Sequence, residues 1–194
     1  MMHTKHFLES IVDASLSLDA ERVEKLTDQL VKLRADRGRL FILGVGGSAG
    51  NAGHAVNDFR KLCNIETYAP TDNVSELTAR ANDEGWASVF SGWLKVSQLC
   101  DKDALLIFSV GGGDAERNVS VNIIEAIKLA KTCGAAVYGV VGRDQGYTAR
   151  NADLTIIIPQ ISASLTTPIS EVFQSVIWHC LVSNPKLQVR PTKW

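Results

Sequence analysis

Residues 37–185 predict a doubly wound α/β domain with a parallel sheet, preceded by a helical N-terminal arm over 1–36 and followed by a tail over 186–194. Three observations carry that fold class. Runs at 40–43, 104–108, 135–141 and 154–158 are apolar at consecutive rather than alternate positions, which marks strands buried on both faces. Helical periodicity over 118–131 lies between two of these runs, as a right-handed crossover requires. Two of the strands end in glycine turns, and open parallel sheets bind ligands at the carboxyl ends of their strands.

In the arm, Phe7, Leu8, Ile11, Val12 and Leu16 form one helical stripe. Asp19 caps a second helix with Val23, Leu26, Leu30 and Leu33 on its apolar face, and Gly38 stops it. Such a face must pack on its own domain or on a neighbouring subunit. After the first strand and its glycine turn, a helix over 49–63 leads to an alternating run at 65–69, ended by Pro70 and expected at a sheet edge. Asp72 caps a helix through Arg80, and a helix over 86–98 presents Val89, Phe90, Trp93 and Val96. The crossover helix over 118–131 turns Val121, Ile124, Ile127 and Ala130 inward. The last helix opens at Thr166-Thr167-Pro168, with proline in its first turn, and runs through Leu181.

The 194 residues suffice for one domain. A net charge of −1, without a Lys/Arg stripe, leaves no electrostatic footprint for nucleic acid. Cys63, Cys100, Cys133 and Cys180 are widely spaced and form no C-x-x-C pair, as expected of reduced thiols in a cytoplasmic protein. No uncharged apolar run is long enough to span a bilayer.

Candidate chemistry centres on the turn from Gly44 to Ser48. Strand, glycine turn and helix N-terminus together form an anion site, because backbone N–H groups and the positive dipole end point one way. Gly44-x-Gly46-x-x-Ala49, with Glu66 after the next strand, also meets a loose dinucleotide fingerprint, although such short patterns recur by chance. A second glycine turn, Ser109-Val110-Gly111-Gly112-Gly113-Asp114, faces the same crevice. One turn apart on one helix, His54 and Asp58 suit a metal or an acid/base pair. Glu171 and His179 are eight residues apart, about 12 Å along one straight helix, so they cannot both reach one metal from it. Either that helix bends or different subunits supply the two.

In this order the motifs resemble the sugar isomerase (SIS) domain family, and within it the phosphoheptose isomerases, along nearly the whole chain. Gly44-Val45-Gly46-Gly47-Ser48 corresponds to the family's G-N-G-G-S, and His54 to its helix histidine. Asn82-Asp83-x-Gly85 matches N-D-x-G, Val141-Gly142-Arg143-Asp144-x-Gly146 matches T-G-[R/K]-D-G-G, and His179 falls in the last helix. The resemblance implies a five-stranded sheet and a homotetramer with active sites at subunit boundaries. It implies conversion of sedoheptulose 7-phosphate to D-glycero-D-manno-heptose 7-phosphate through an enediolate. Asp58 and His179 would be the acid/base pair, or with His54 and Glu171 the shell of a zinc ion. Gly46, Gly47, Ser48, Asn82, Asp83, Ser109, Gly111, Gly112, Arg117 and Ser120 would bind the sugar phosphate. Two different classes compete with this reading: a noncatalytic SIS protein acting through tetramer contacts, of the replication-initiation type, and a sugar-phosphate-binding regulatory domain.

Three departures from the family pattern stand out. Asp58 replaces the usual Glu and is one methylene shorter, and Glu171 stands where Gln is usual. The family's S-T-S-G-N-S loop is represented by Ser109 to Asp114, which keeps one hydroxyl and adds a carboxylate that repels phosphate unless Arg117 offsets it.

Overall fold

A computed structural model describes residues 2–193; Met1 and Trp194, the extreme ends of the expected arm and tail, lie outside the described residues. Five parallel strands form one sheet in the order β2-β1-β3-β4-β5. They are β1 (Leu40–Leu43), β2 (Thr67–Tyr68), β3 (Ala104–Ser109), β4 (Ala136–Val141) and β5 (Leu154–Ile157). Leu40 pairs with Ala104 and Ala104 with Ala136, so the first residues of the three central strands lie in one row. Every residue of β1 and β3 is buried, as their unbroken apolar runs require. Alternation along β3 divides the core: Leu106 and Phe108 face one side, Leu105 and Ile107 the other.

The first side is covered by α1 (His3–Ser17), α2 (Ala20–Ala35), α3 (Gly47–Cys63) and α8 (Thr166–Ser183). The second is covered by α5 (Val89–Val96) and α6 (Val121–Cys133). Two further helices, α4 (Val74–Asp83) and α7 (Tyr147–Asn151), follow β2 and β4 in the chain. Of the two packings open to the arm, α2 takes its own domain: Leu26 and Leu30 are fully buried, and Arg22 donates to the Thr155 carbonyl of β5 at 2.9 Å. The tail is also tied down, with Leu187 buried and the Val189 and Arg190 N–H groups donating to Leu62 O.

Several local expectations shift. The stripe of α1 divides: Phe7 and Ile11 meet the core, while Leu8, Val12 and Leu16 face outward. Asn73, not Asp72, caps α4, its side chain accepting from the N–H groups of Ser75 and Glu76, and α4 runs on to Asp83. The helix expected over 86–98 is a 3-10 turn at Trp86–Ser88 followed by α5, whose inner face is Val89, Phe90 and Leu94, leaving Val96 72% exposed. α6 begins three residues later than its periodicity suggests. Asp114 and Val119 exchange backbone hydrogen bonds of 2.9 Å, and together with the residues between them form a flap before the helix. The α7 segment was not anticipated, its five residues being too few to carry a periodic signal.

Candidate active site

α3 and α8 lie side by side with their N-termini at the same end, so successive turns of one meet successive turns of the other. At the first level is the β1 glycine turn. Gly46 turns the chain at φ 64°, which glycine adopts without strain, and α3 starts at the next residue. Here the structure places Glu171: a Cβ built on Gly47 would lie 2.5 Å from Glu171 Oε2. The expected anion site at this helix N-terminus therefore faces the chain's own carboxylate.

One turn further, Asn51 Nδ2 donates to Glu171 O and to Gln174 Oε1, both at 2.9 Å, and Gln174 Nε2 donates to Ser48 Oγ at 3.0 Å. Ser48, expected at the substrate, is 2% exposed and holds this buried network instead. Residues 48, 51 and 174 thus clamp α3 to α8 above the next level.

That level joins His54, Asp58 and His179, whose ligating atoms all lie within 4.8 Å of one another. Asp58 Oδ2 is 3.5 Å from His54 Nε2 and 3.7 Å from His179 Nε2. The Asp58 side chain is 13% exposed, and the two histidine side chains are 57% and 51% exposed, so the imidazoles open to the surface and the carboxylate lies behind them. His179 Nδ1 lies 2.8 Å from Ser175 O. Ser175 Oγ also lies 3.3 Å from Nδ1; the tautomer that donates from Nδ1 to the carbonyl leaves Nε2 as the nitrogen available to a ligand beside Asp58. Trp178, 1% exposed and stacked on Phe108, donates from Nε1 to the same Asp58 Oδ2 at 3.1 Å. α8 is unbroken, and Glu171 stays at the glycine turn while His179 joins the cluster, as the axial separation demands. Within one chain the expected four-residue set is thus a set of three.

The remaining expected residues are dispersed. Asn82 and Asp83 end α4, exposed and bonded to each other at 2.7 Å. Ser109 is 6% exposed, and its Oγ accepts from Gly112 N. Ser120 precedes α6 in the left-handed region at φ 50° with no capping bond from its side chain. Arg117 lies in the flap, 3.7 Å from Asp114. Glu66, the ribose-binding candidate, accepts from Tyr68 OH at 2.8 Å. Sequence reasoning missed Trp178, which an apolar helix face absorbs as core, and Asn51 and Gln174, whose partners lie more than a hundred residues away.

A five-stranded parallel sheet flanked by helices is the fold of a sugar isomerase domain, and in this chain its α3 and α8 bring His54, Asp58 and His179 together. The profile described as SIS domain matches residues 5–142, and the chain belongs to that family. Within it, a probable phosphoheptose isomerase from Thermoplasma acidophilum is 31% identical over 182 residues, 91% of this chain and 94% of that protein. The lincomycin biosynthesis protein LmbN from Streptomyces lincolnensis is 34% identical over 154 residues, 74% of this chain and 54% of that protein, so the chain spans about half of it. The phosphoheptose isomerase GmhA from Neisseria gonorrhoeae superposes with a TM-score of 0.77 at 26% identity, covering 92% of this chain and 94% of that one.

Proposed function

We propose that the protein is an aldose–ketose isomerase of sugar phosphates, converting sedoheptulose 7-phosphate to D-glycero-D-manno-heptose 7-phosphate. The observation that carries the chemistry is the convergence of His54, Asp58 and His179; the substrate follows from the phosphoheptose isomerases similar along most of the chain. Isomerisation removes a proton from C1 of the ketose, leaves an enediolate across C1 and C2, and returns a proton to C2 while the hydroxyl hydrogen passes from O1 to O2. Asp58 takes the carbon-bound proton, and His179, with Nε2 free and Nδ1 anchored on Ser175, relays a proton between the oxygens. Gly46, Gly47, Asn82 and Asp83 flank the sugar, and Gly111, Gly112, Arg117 and Ser120 serve its phosphate end.

The same cluster fits a divalent cation. Two imidazole nitrogens and a carboxylate oxygen, with no donor hydrogen needed between them, form a nitrogen–oxygen set suited to zinc. His54, Asp58 and His179 would hold the ion, with Glu171 able to join only from elsewhere than its own glycine turn. When bound, it supplies electrophilic stabilisation of the charge on the enediolate oxygens. Because the imidazoles open outward, the site is completed in a homotetramer whose neighbouring protomers cover it.

Purified protein is tested on C5 to C8 ketose phosphates with and without a chelator, alongside elemental analysis. The heptulose phosphate is expected to react fastest, with about one divalent ion per chain. His179→Ala is expected to lower the rate about 10²- to 10⁴-fold with assembly intact. An unchanged His179→Ala rate in protein that contains no metal overturns the assignment.

A further inference from the structure

We infer that the phosphate of the substrate docks not on the glycine turn of β1 but in a cleft between the β3–α6 and β4–α7 loops, held by the guanidinium groups of Arg117, Arg143 and Arg150. The inference rests on the sugar-phosphate reading above and names the residues that recognise the anion.

Two observations displace the phosphate from the places its motifs suggest. The α3 N-terminus faces the Glu171 carboxylate, and a phosphomonoester dianion placed beside it meets like charge. The hydroxyls of the two turns are held inward, Ser48 under Gln174 and Ser109 under the Gly112 N–H group.

Beside the second turn is a cleft of about 720 Å³ whose lining includes the three arginines, Tyr147 and two carboxylates, Asp114 and Glu116. Its floor is built. Tyr147 N donates to Gly113 O, and Thr148 donates to Gly112 O through both N and Oγ1, each at 2.8 Å. The loops approach so closely that a Cβ on Gly146 would lie 2.0 Å from Gly111 O. These bonds fix the two loops against each other, so the exposed arginine side chains extend from backbone positions that are set before a ligand arrives.

Three guanidinium groups against the carboxylates of Asp114 and Glu116 leave the cleft one positive charge in excess. Asp114 spends Oδ1 on the N–H groups of Glu116 and Arg117 and sets Oδ2 3.7 Å from the Arg117 guanidinium. Among the described residues no carboxylate pairs with Arg143 or Arg150. Planar guanidinium forks match a tetrahedral oxyanion in two-point contacts. An arginine site thus replaces a hydroxyl cradle.

The double variant Arg143→Gln/Arg150→Gln tests this with inorganic phosphate as the probe. Calorimetry is expected to show phosphate binding to the wild type weakened about tenfold or more in the variant, with KM for the ketose phosphate rising by a similar factor. The paired lysine variant keeps the charge, loses the forks and recovers part of the affinity, which separates a lost site from a lost fold. Wild-type phosphate affinity in the glutamine variant overturns the inference. Weakened phosphate binding with an unmoved KM also overturns it, because the cleft would then serve an anion other than the substrate. If the wild type isomerises no ketose phosphate while phosphate binding still depends on the arginines, the isomerase reading fails and the anion site stands.

Discussion

Asp58 is the residue on which the cluster turns, because one carboxylate oxygen accepts from an indole and lies 3.5 and 3.7 Å from two imidazoles. Trp178→Phe keeps the stacking on Phe108 and removes only the N–H donor. A hydrogen bond to a charged acceptor is worth about 1.5–3 kcal/mol of stability, so the melting temperature is expected to fall by several degrees, and kcat to fall about tenfold as the carboxylate, left with Asn57 as donor, loses its orientation. An equal kcat would show that packing alone orients Asp58. Nearby Cys63 gives a second residue-scale test. Burial pushes its thiol up to about 12, against the pull of Arg34, so at pH 8 it is a buried, protonated thiol. Thiol reagents are expected to label the exposed Cys100 and Cys180 in native protein and to reach Cys63 only after denaturation. His54 and Asp58 were legible as neighbours because one helical turn separates them. Trp178 was not, because its donor role depends on a helix 120 residues away in the chain.

Where β1 and β3 begin, the elements are joined by a charge pair rather than by apolar contact. Asp103 Oδ1 accepts from Arg39 N and Nε at 3.0 and 3.1 Å, and Oδ2 accepts from Arg39 NH2 at 2.7 Å and Cys100 N at 3.0 Å. Burial alone would raise the carboxyl, but the Arg39 and Cys100 bonds outweigh it and hold Asp103 below its usual 3.8. The unfolded chain then binds the proton more readily, so this stabilisation is complete above pH 3.8 and is lost as pH falls through the lower folded value. Asp103→Asn is expected to cost about 2–3 kcal/mol at pH 7 in urea unfolding, discounted because Arg39 is partly exposed. The gap to wild type should narrow below pH 4; a gap constant with pH would mean that shape, not charge, carries the joint. At this scale the strands and long helices were readable because burial on both faces imposes continuous apolar runs. The flap and α7 were not, since short segments held by backbone bonds between loops carry no period.

For the whole molecule, the outward faces of α1 and α8 are the surfaces on which the proposed tetramer is tested. Leu8, Val12 and Leu16, four residues apart on α1, are 58%, 56% and 82% exposed, and Val172 and Val176 on α8 are 39% and 46% exposed. Val176 lies one helical turn before His179, so an apolar strip borders the histidine cluster itself. The periodicity of this helix required its apolar face to pack on its own domain or on a neighbouring subunit, but could not say which residues the chain's own core would take. Phe7 and Ile11 go inward, and Leu8, Val12 and Leu16 stay exposed on the outer face. Burying such side chains contributes about 1.5–3 kcal/mol each, and a charge placed among them opposes assembly. Light scattering is therefore expected to show a tetramer for the wild type and smaller species for Val12→Asp/Leu16→Asp, with circular dichroism unchanged because neither side chain touches its own core. If neighbours complete the site, isomerase activity falls with dissociation and returns as protein concentration rises. A monomeric variant with full activity at every concentration would place the whole site within one chain.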